Sequence, residues 1–149
     1  METLTKTEDK VTLKPYKRTA MYYETDQMGI IHHSNYIRWF EEARLDYLNQ
    51  INLNYSGLEE LGIMIPVLSV NCEYKYAVRF NETVYIIPVI ETFNGVKMQI
   101  SYQILDAATN KIRTTGISTH CFVTKDMKPV NMKKYFKDIY DILKYWSMN

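Results

Sequence analysis

Residues 22–44 read YYETDQMGIIHHSNYIRWFEEAR and pass from a glycine-bearing loop into an amphipathic helix. Ser34 stands at an expected N-cap position. Tyr36, Phe40, Ala43, Tyr47 and Ile51 follow at spacings of three and four, and Ile37, Arg44 and Leu48 widen the same stripe. One long helix is predicted. Arg38 with Glu42, and Glu41 with Arg44, are expected as ion pairs on its outer face. A short helical turn over residues 58–61 is expected to end at Gly62.

Residues 1–13 are polar and lack periodicity, which predicts a frayed tail ahead of a single domain over 14–149. Residues 14–24, KPYKRTAMYYE, read as a first strand leading into the tight loop TDQMG. Beyond Gly62 the period shortens to two. Leu68, Val70, Cys72, Tyr74 and Tyr76 alternate with polar residues, and so do Met98, Ile100, Tyr102 and Ile104. Residues 83–93 and 112–124 supply two further strand-like runs. Turns are expected at 79–82, in AATNK, and at Asn94-Gly95, the last as type I′. Pro88 lies inside the second run and should mark a bulge or an interruption. Residues 131–146 read as a C-terminal helix. A strand, a long helix and four strands in a meander place the chain in the α+β class.

At 149 residues the chain is one ordinary domain in length. Hydrophobic residues make up 46% and charged residues 23%, which excludes a disordered composition. Eighteen Lys and Arg against 17 Asp and Glu give a net charge of +1, so no strong field selects nucleic acid as a partner. No apolar run approaches the roughly 20 residues of a membrane span, and the N-terminus lacks the pattern of a signal peptide. The cytoplasm is the expected compartment. Cys72 and Cys121 stand in strand-like segments without CxxC spacing and are expected to be reduced thiols. Two N-x-S/T sequons, at Asn54 and Asn81, carry no weight without a secretion signal.

The loop and helix suggest a chemistry. A helix N-terminus offers backbone N–H groups and a partial positive charge, which stabilise an oxyanion forming on an attacked carbonyl. Asp26, upstream across the loop, could serve there as a nucleophile or hold a water as general base. An isolated Asp before a helix is more often a cap.

The combination of residues tips that balance. Asp26, Gly29, Ile30 and Ile31, His33, Asn35-Tyr36 and Phe40-Glu41-Glu42-Ala43-Arg44 resemble the signature of hotdog-fold acyl-CoA thioesterases of the 4-hydroxybenzoyl-CoA thioesterase-like branch. The resemblance extends from about Tyr16 to Thr124. It implies a hotdog fold, an antiparallel sheet of about five strands wrapped around one long central helix. It also implies that Asp26 is the catalytic carboxylate, that the N–H of His33 polarises the thioester carbonyl, and that Gly29 permits the turn between them. Gly29, Asn35, Tyr36 and Arg79 are the expected substrate-binding residues. No metal and no cofactor are implied. The resemblance further implies a homodimer or homotetramer with active sites at the subunit interface. Gln27 and Met28 depart from the small residues or Pro often found at these loop positions, which bears on the acyl pocket.

Other readings attach to individual residues. The His33 side chain is as well explained by packing as by catalysis, His120 reads as a satisfied strand residue, and the His32-His33 pair lacks further ligands at metal spacing. Glu41 and Glu42 are alternative carboxylates, because another hotdog branch carries its catalytic Glu on the helix. Lys75, Arg79, Lys97, Arg113, Lys125 and Lys128 are candidates to hold the phosphates of coenzyme A, each also readable as a surface charge. Tyr22, Tyr23 and Tyr36 could line an acyl tunnel or belong to the core. The expected activity is hydrolysis of an acyl-CoA to free acid and CoA. Acyl-acyl carrier protein is a variant substrate. A non-catalytic acyl-CoA sensor is a rival that would need a DNA-binding module, for which 13 residues are too few, and a hotdog dehydratase would need a different acid/base set.

Overall fold

The computed structural model describes residues 4–6 and 11–148. In chain order they form β1 (Leu4–Lys6), β2 (Val11–Leu13), β3 (Tyr16–Thr19), a 3-10 turn (Tyr22–Glu24), α1 (Ser34–Gln50), α2 (Tyr55–Glu60), β4 (Val67–Tyr74), β5 (Thr83–Phe93), β6 (Lys97–Asp106), β7 (Ile112–Cys121), α3 (Met132–Tyr135) and α4 (Lys137–Trp146). Strands β3-β5-β6-β7-β4 make a five-stranded antiparallel sheet in that order, and β1-β2 a separate pair. The α+β class is as expected from the change of period, but the four-strand meander is not: only β5-β6-β7 are consecutive neighbours, and β4 lies beside β7 instead of β5.

Two compact units emerge, one of 1–47, 72–88 and 102–116 and another of 48–71, 89–101 and 117–149. The first buries Ile31, Trp39, Phe40, Ala43, Val78, Val84, Ile86, Tyr102 and Ile104. Phe40 stacks on Tyr102 with centroids 4.4 Å apart, which seats the apolar stripe of α1 on the strand surface. The second buries Leu58, Ile63, Ile90, Phe93, Met98, Ile100, Phe122, Met132 and Leu143. Phe93 is its hub, against Phe122 at 5.5 Å and Tyr140 at 5.3 Å.

Several local expectations need correction. Within the stretch expected as a tail, Leu4–Lys6 pairs antiparallel with Val11–Leu13, and the rest of that stretch lies outside the described residues. Strand β3 is shorter than residues 14–24 suggested: after Thr19 the chain turns into the 3-10 segment, whose Glu24 side chain accepts from the Met21 N–H at 2.9 Å. Strand β5 continues through Pro88. Pairing of β5 with β3 runs from Thr83 to Ile86, so Pro88 lies past that ladder, where a missing N–H is tolerated. At the Asn94-Gly95 hairpin only Gly95 has positive φ, at 91°, whereas type I′ needs two such residues. Asn94 Oδ1 instead accepts from the N–H groups of Val96 and Lys97.

On α1 the predicted stripe is buried except Ile37, which is exposed, and Trp39 joins it with no exposed area. Glu41 pairs with Arg44 as expected, at 3.9 Å. Glu42 does not pair with Arg38; it accepts from Arg18 Nε at 3.0 Å and from the Tyr16 hydroxyl at 2.9 Å. Strand β4 also differs. Leu68 is 51% exposed and Tyr76 66%, so the alternation there produces no covered face within this chain. β4 stands at one end of the sheet order, where only one side of a strand has a neighbour.

Candidate active site

The loop between the 3-10 turn and α1 closes on itself. Asp26 N–H donates to the Ile30 carbonyl at 2.7 Å, and Gly29 N–H donates to the Asp26 carbonyl at 3.1 Å. Thr25 and Ile31 form an antiparallel bridge at its base. Gly29 occupies φ +78°, a region that L side chains rarely adopt, and this fits the close turn expected of it. The carboxylate Oδ1 of Asp26 accepts from Met28 N–H at 2.8 Å and from Ile30 N–H at 3.4 Å. Oδ1 is thus held by the loop backbone, while Oδ2 has no hydrogen-bond donor among the described residues.

Downstream, the chain enters α1 through His32 and His33. His32 Nδ1 accepts from Ser34 N–H at 3.2 Å, with Ser34 Oγ 2.8 Å from the same nitrogen. His32, rather than Ser34, caps the helix, because its imidazole reaches the first helical N–H. The His32 carbonyl accepts from Asn35 N–H at 2.9 Å. A trans peptide sets C=O and N–H in opposite directions, so the N–H of His33 points away from the helix and carries the positive end of its dipole. The His33 ring is exposed, stacked on His32 at 4.2 Å and edge-on to Tyr74 at 6.3 Å. Tyr74 donates its hydroxyl hydrogen to the His33 carbonyl at 3.2 Å.

The other expected residues divide between site and scaffold. Asn35 Nδ2 donates to the Glu24 carbonyl at 2.9 Å, which ties the helix start to the 3-10 turn. Tyr36 is buried, and its hydroxyl accepts from Val78 N–H at 3.0 Å. Burial raises its phenol pKa above the ordinary value, so the oxygen stays protonated and neutral. Arg79 lies beside the loop through a bridge with Ile30, and its side chain is exposed. Among the basic candidates for coenzyme A, Arg113 is otherwise engaged: it pairs with Glu82 at 3.2 Å and Asp106 at 2.5 Å and donates to the carbonyls of Tyr76 and Ala77. Tyr22 and Tyr23 are 74% and 80% exposed and Met28 is 74% exposed, and Tyr23 also lines the open depression beside the loop.

Next to the loop lies an open depression of about 470 Å³ lined by Arg18, Glu24, His32, Ser34, Asn35 and Arg38 among others. A second cavity, of about 290 Å³, sits in the other unit around Phe93, Asn94, Lys97 and Met98. Asp26 and His33 line neither. Glu24, which the sequence does not single out, is 4% exposed and accepts at its carboxylate from Trp39 Nε1 and Arg18 Nη2, both at 2.9 Å. Tyr16, also unmarked in the sequence, has its phenol pushed up to about 12 by burial and by the bond to Glu42, so it remains a donor. No cluster of three or more His, Cys, Asp or Glu suited to a metal occurs among the described residues.

A family profile, sequence relatives and a solved structure match this chain. The Thioesterase-like superfamily profile matches residues 21–139. YneP of Bacillus subtilis (strain 168) is 36% identical over 118 residues, covering 78% of this chain and 85% of its own. Acyl-CoA thioesterase YbgC of Haemophilus influenzae (strain ATCC 51907 / DSM 11121 / KW20 / Rd) is 25% identical over 126 residues, covering 83% of this chain and 92% of its own. The solved structure of DHNA-CoA thioesterase from Staphylococcus aureus superposes with a TM-score of 0.82 at 32% identity, covering 87% of each chain. With a profile spanning most of its length and a matching solved fold, the chain belongs to the Thioesterase-like superfamily as a hotdog-fold thioester hydrolase.

Proposed function

We propose that this protein hydrolyses an acyl-CoA thioester to a carboxylic acid and CoA, with Asp26 as the reacting carboxylate and the outward N–H of His33 as oxyanion donor. The observation that carries the reading is the asymmetry of Asp26, whose Oδ1 is fixed by two loop N–H groups while Oδ2 has no donor among the described residues. A carboxylate oxygen so oriented, next to a helix N-terminus, has the elements of acyl transfer. As general base, Asp26 takes a proton from water as its oxygen bonds to the thioester carbon. As nucleophile, it forms an acyl anhydride that water then opens. In either case the C–S bond breaks, the CoA thiolate leaves with the bonding electron pair, and it takes up a proton that originates from the attacking water. Developing charge on the carbonyl oxygen is met by the His33 N–H.

The functional unit is proposed to be a homodimer or homotetramer whose subunits together complete the site. The exposed Tyr22, Tyr23 and Met28 around Asp26 support this, since apolar side chains beside a reacting carboxylate call for a cover. The uncovered β4 edge supports it too. The compartment is taken as the cytoplasm, where the unpaired Cys72 and Cys121 stay reduced.

The test is a thiol-release assay across acetyl-, hexanoyl-, palmitoyl- and benzoyl-CoA. Release of CoA from at least one member, abolished in Asp26→Asn, is expected. No release from any member of a wide panel contradicts the proposal.

A further inference from the structure

We infer that Glu24 is a positioning residue that holds the Asp26 loop and the His33 N–H in register, acting through Trp39 and Asn35. The inference rests on the roles proposed above for Asp26 and His33. Glu24 accepts hydrogen bonds from five donors at once. Its carbonyl accepts from His32 N–H at 2.8 Å and from Asn35 Nδ2 at 2.9 Å. Its carboxylate accepts from Trp39 Nε1, Arg18 Nη2 and Met21 N–H, each at 2.9 Å.

The consequences follow from chain distance. Asp26 comes two residues after Glu24, and His33 follows His32, whose N–H is bound to Glu24. Trp39 and Asn35 both belong to α1, so the same residue fixes the loop to the helix whose N-terminus supplies the oxyanion donor. The indole of Trp39 is fully buried, and Arg18 stacks over it at 5.5 Å, which locks the donor's direction. A buried carboxylate would be costly to retain without its partners, and here three donors satisfy it. Misplacement of reacting groups by about 1 Å can cost on the order of 100-fold in rate, so a clamp of this kind should be visible in kcat.

The experiment compares Glu24→Gln, Glu24→Ala and Trp39→Phe with wild type and with Asp26→Asn, using the best acyl-CoA from the panel. Trp39→Phe keeps an aromatic ring beside Arg18 but deletes the indole N–H together with some buried volume, so it gives a second, independent perturbation if the Glu24 variants fold poorly. Thermal midpoints and the ¹H–¹⁵N position of the His33 amide are recorded alongside. We expect Trp39→Phe and Glu24→Gln to lower kcat at least about tenfold with KM within about threefold, and to shift the His33 amide. Glu24→Gln, which retains an acceptor for the indole, should exceed Glu24→Ala. Folded Trp39→Phe and Glu24→Gln with kcat within about threefold of wild type, while Asp26→Asn is inactive, would overturn the positioning role alone. An active Asp26→Asn would instead remove the reading on which it rests.

Discussion

The N–H of Asn35 donates to the carbonyl of His32 at 2.9 Å, and this bond turns the N–H of His33 outward from the start of α1. The donor is a main-chain group that every non-proline residue also possesses. His33→Ala should therefore keep kcat within about tenfold of wild type, far above Asp26→Asn. Steady-state kinetics on both variants, with circular dichroism to confirm folding, decide it. A His33→Ala variant as inactive as Asp26→Asn would give the imidazole a direct role.

Tyr36 stabilises the scaffold beneath the site. Its hydroxyl is the acceptor for the buried Val78 N–H, and Ile31 N–H donates to the Val78 carbonyl at 2.8 Å, so the same peptide segment braces the loop. Tyr36→Phe leaves that N–H unsatisfied and should cost about 1–3 kcal/mol in urea unfolding. An unchanged midpoint and slope would mean that the Val78 N–H finds another partner.

Acid stability should track the Arg113 cluster. Burial alone would raise the carboxyl pKa values of Glu82 and Asp106, but hydrogen bonds and charge from Arg113, with backbone N–H donors, hold both below their ordinary values. A carboxylate with a lowered folded pKa stabilises the protein above its unfolded pKa, near 4, and loses that contribution as pH falls through the folded value. The thermal midpoint should fall as pH drops below about 4.5. Arg113→Met should lower it at neutral pH and flatten the acid limb. Identical acid limbs in the two proteins would rule the cluster out as its cause.

Association is the next prediction. Leu68 and Val70 on β4 are exposed, as are Tyr22 and Tyr23 in the 3-10 turn. Sedimentation should give a dimer or tetramer at assay concentrations, with activity lost on dilution to monomer. A fully active monomer would show that one chain completes the site.

The sequence was legible where structure depends on local periodicity. The α1 stripe from Tyr36 to Ile51 and the alternation of Met98, Ile100, Tyr102 and Ile104 predict burial that the structure contains. Gly29 and Gly95 have the positive φ that their turns need. What escaped depends on partners distant in the chain. Glu24 meets Trp39 15 residues away, Glu42 meets Arg18 24 residues away, and Arg113 meets Glu82 31 residues away. No spacing rule on a single helix or strand reaches that far, so Arg38 was the natural but wrong partner for Glu42. β4 shows a second limit: alternation marks an apolar face without saying whether this chain covers it.

The central claim is that the Oδ2 side of Asp26 performs the chemistry. Asp26→Asn keeps the size of the side chain and the carbonyl oxygen that the Met28 N–H can bond, while removing the charge that attacks carbon or takes a proton from water. The most direct measurement is kcat of folded Asp26→Asn on the best acyl-CoA substrate. The account predicts a fall of at least about 100-fold with the circular dichroism spectrum unchanged. A folded Asp26→Asn enzyme with near-normal kcat would contradict it and turn attention to Glu41 or Glu42.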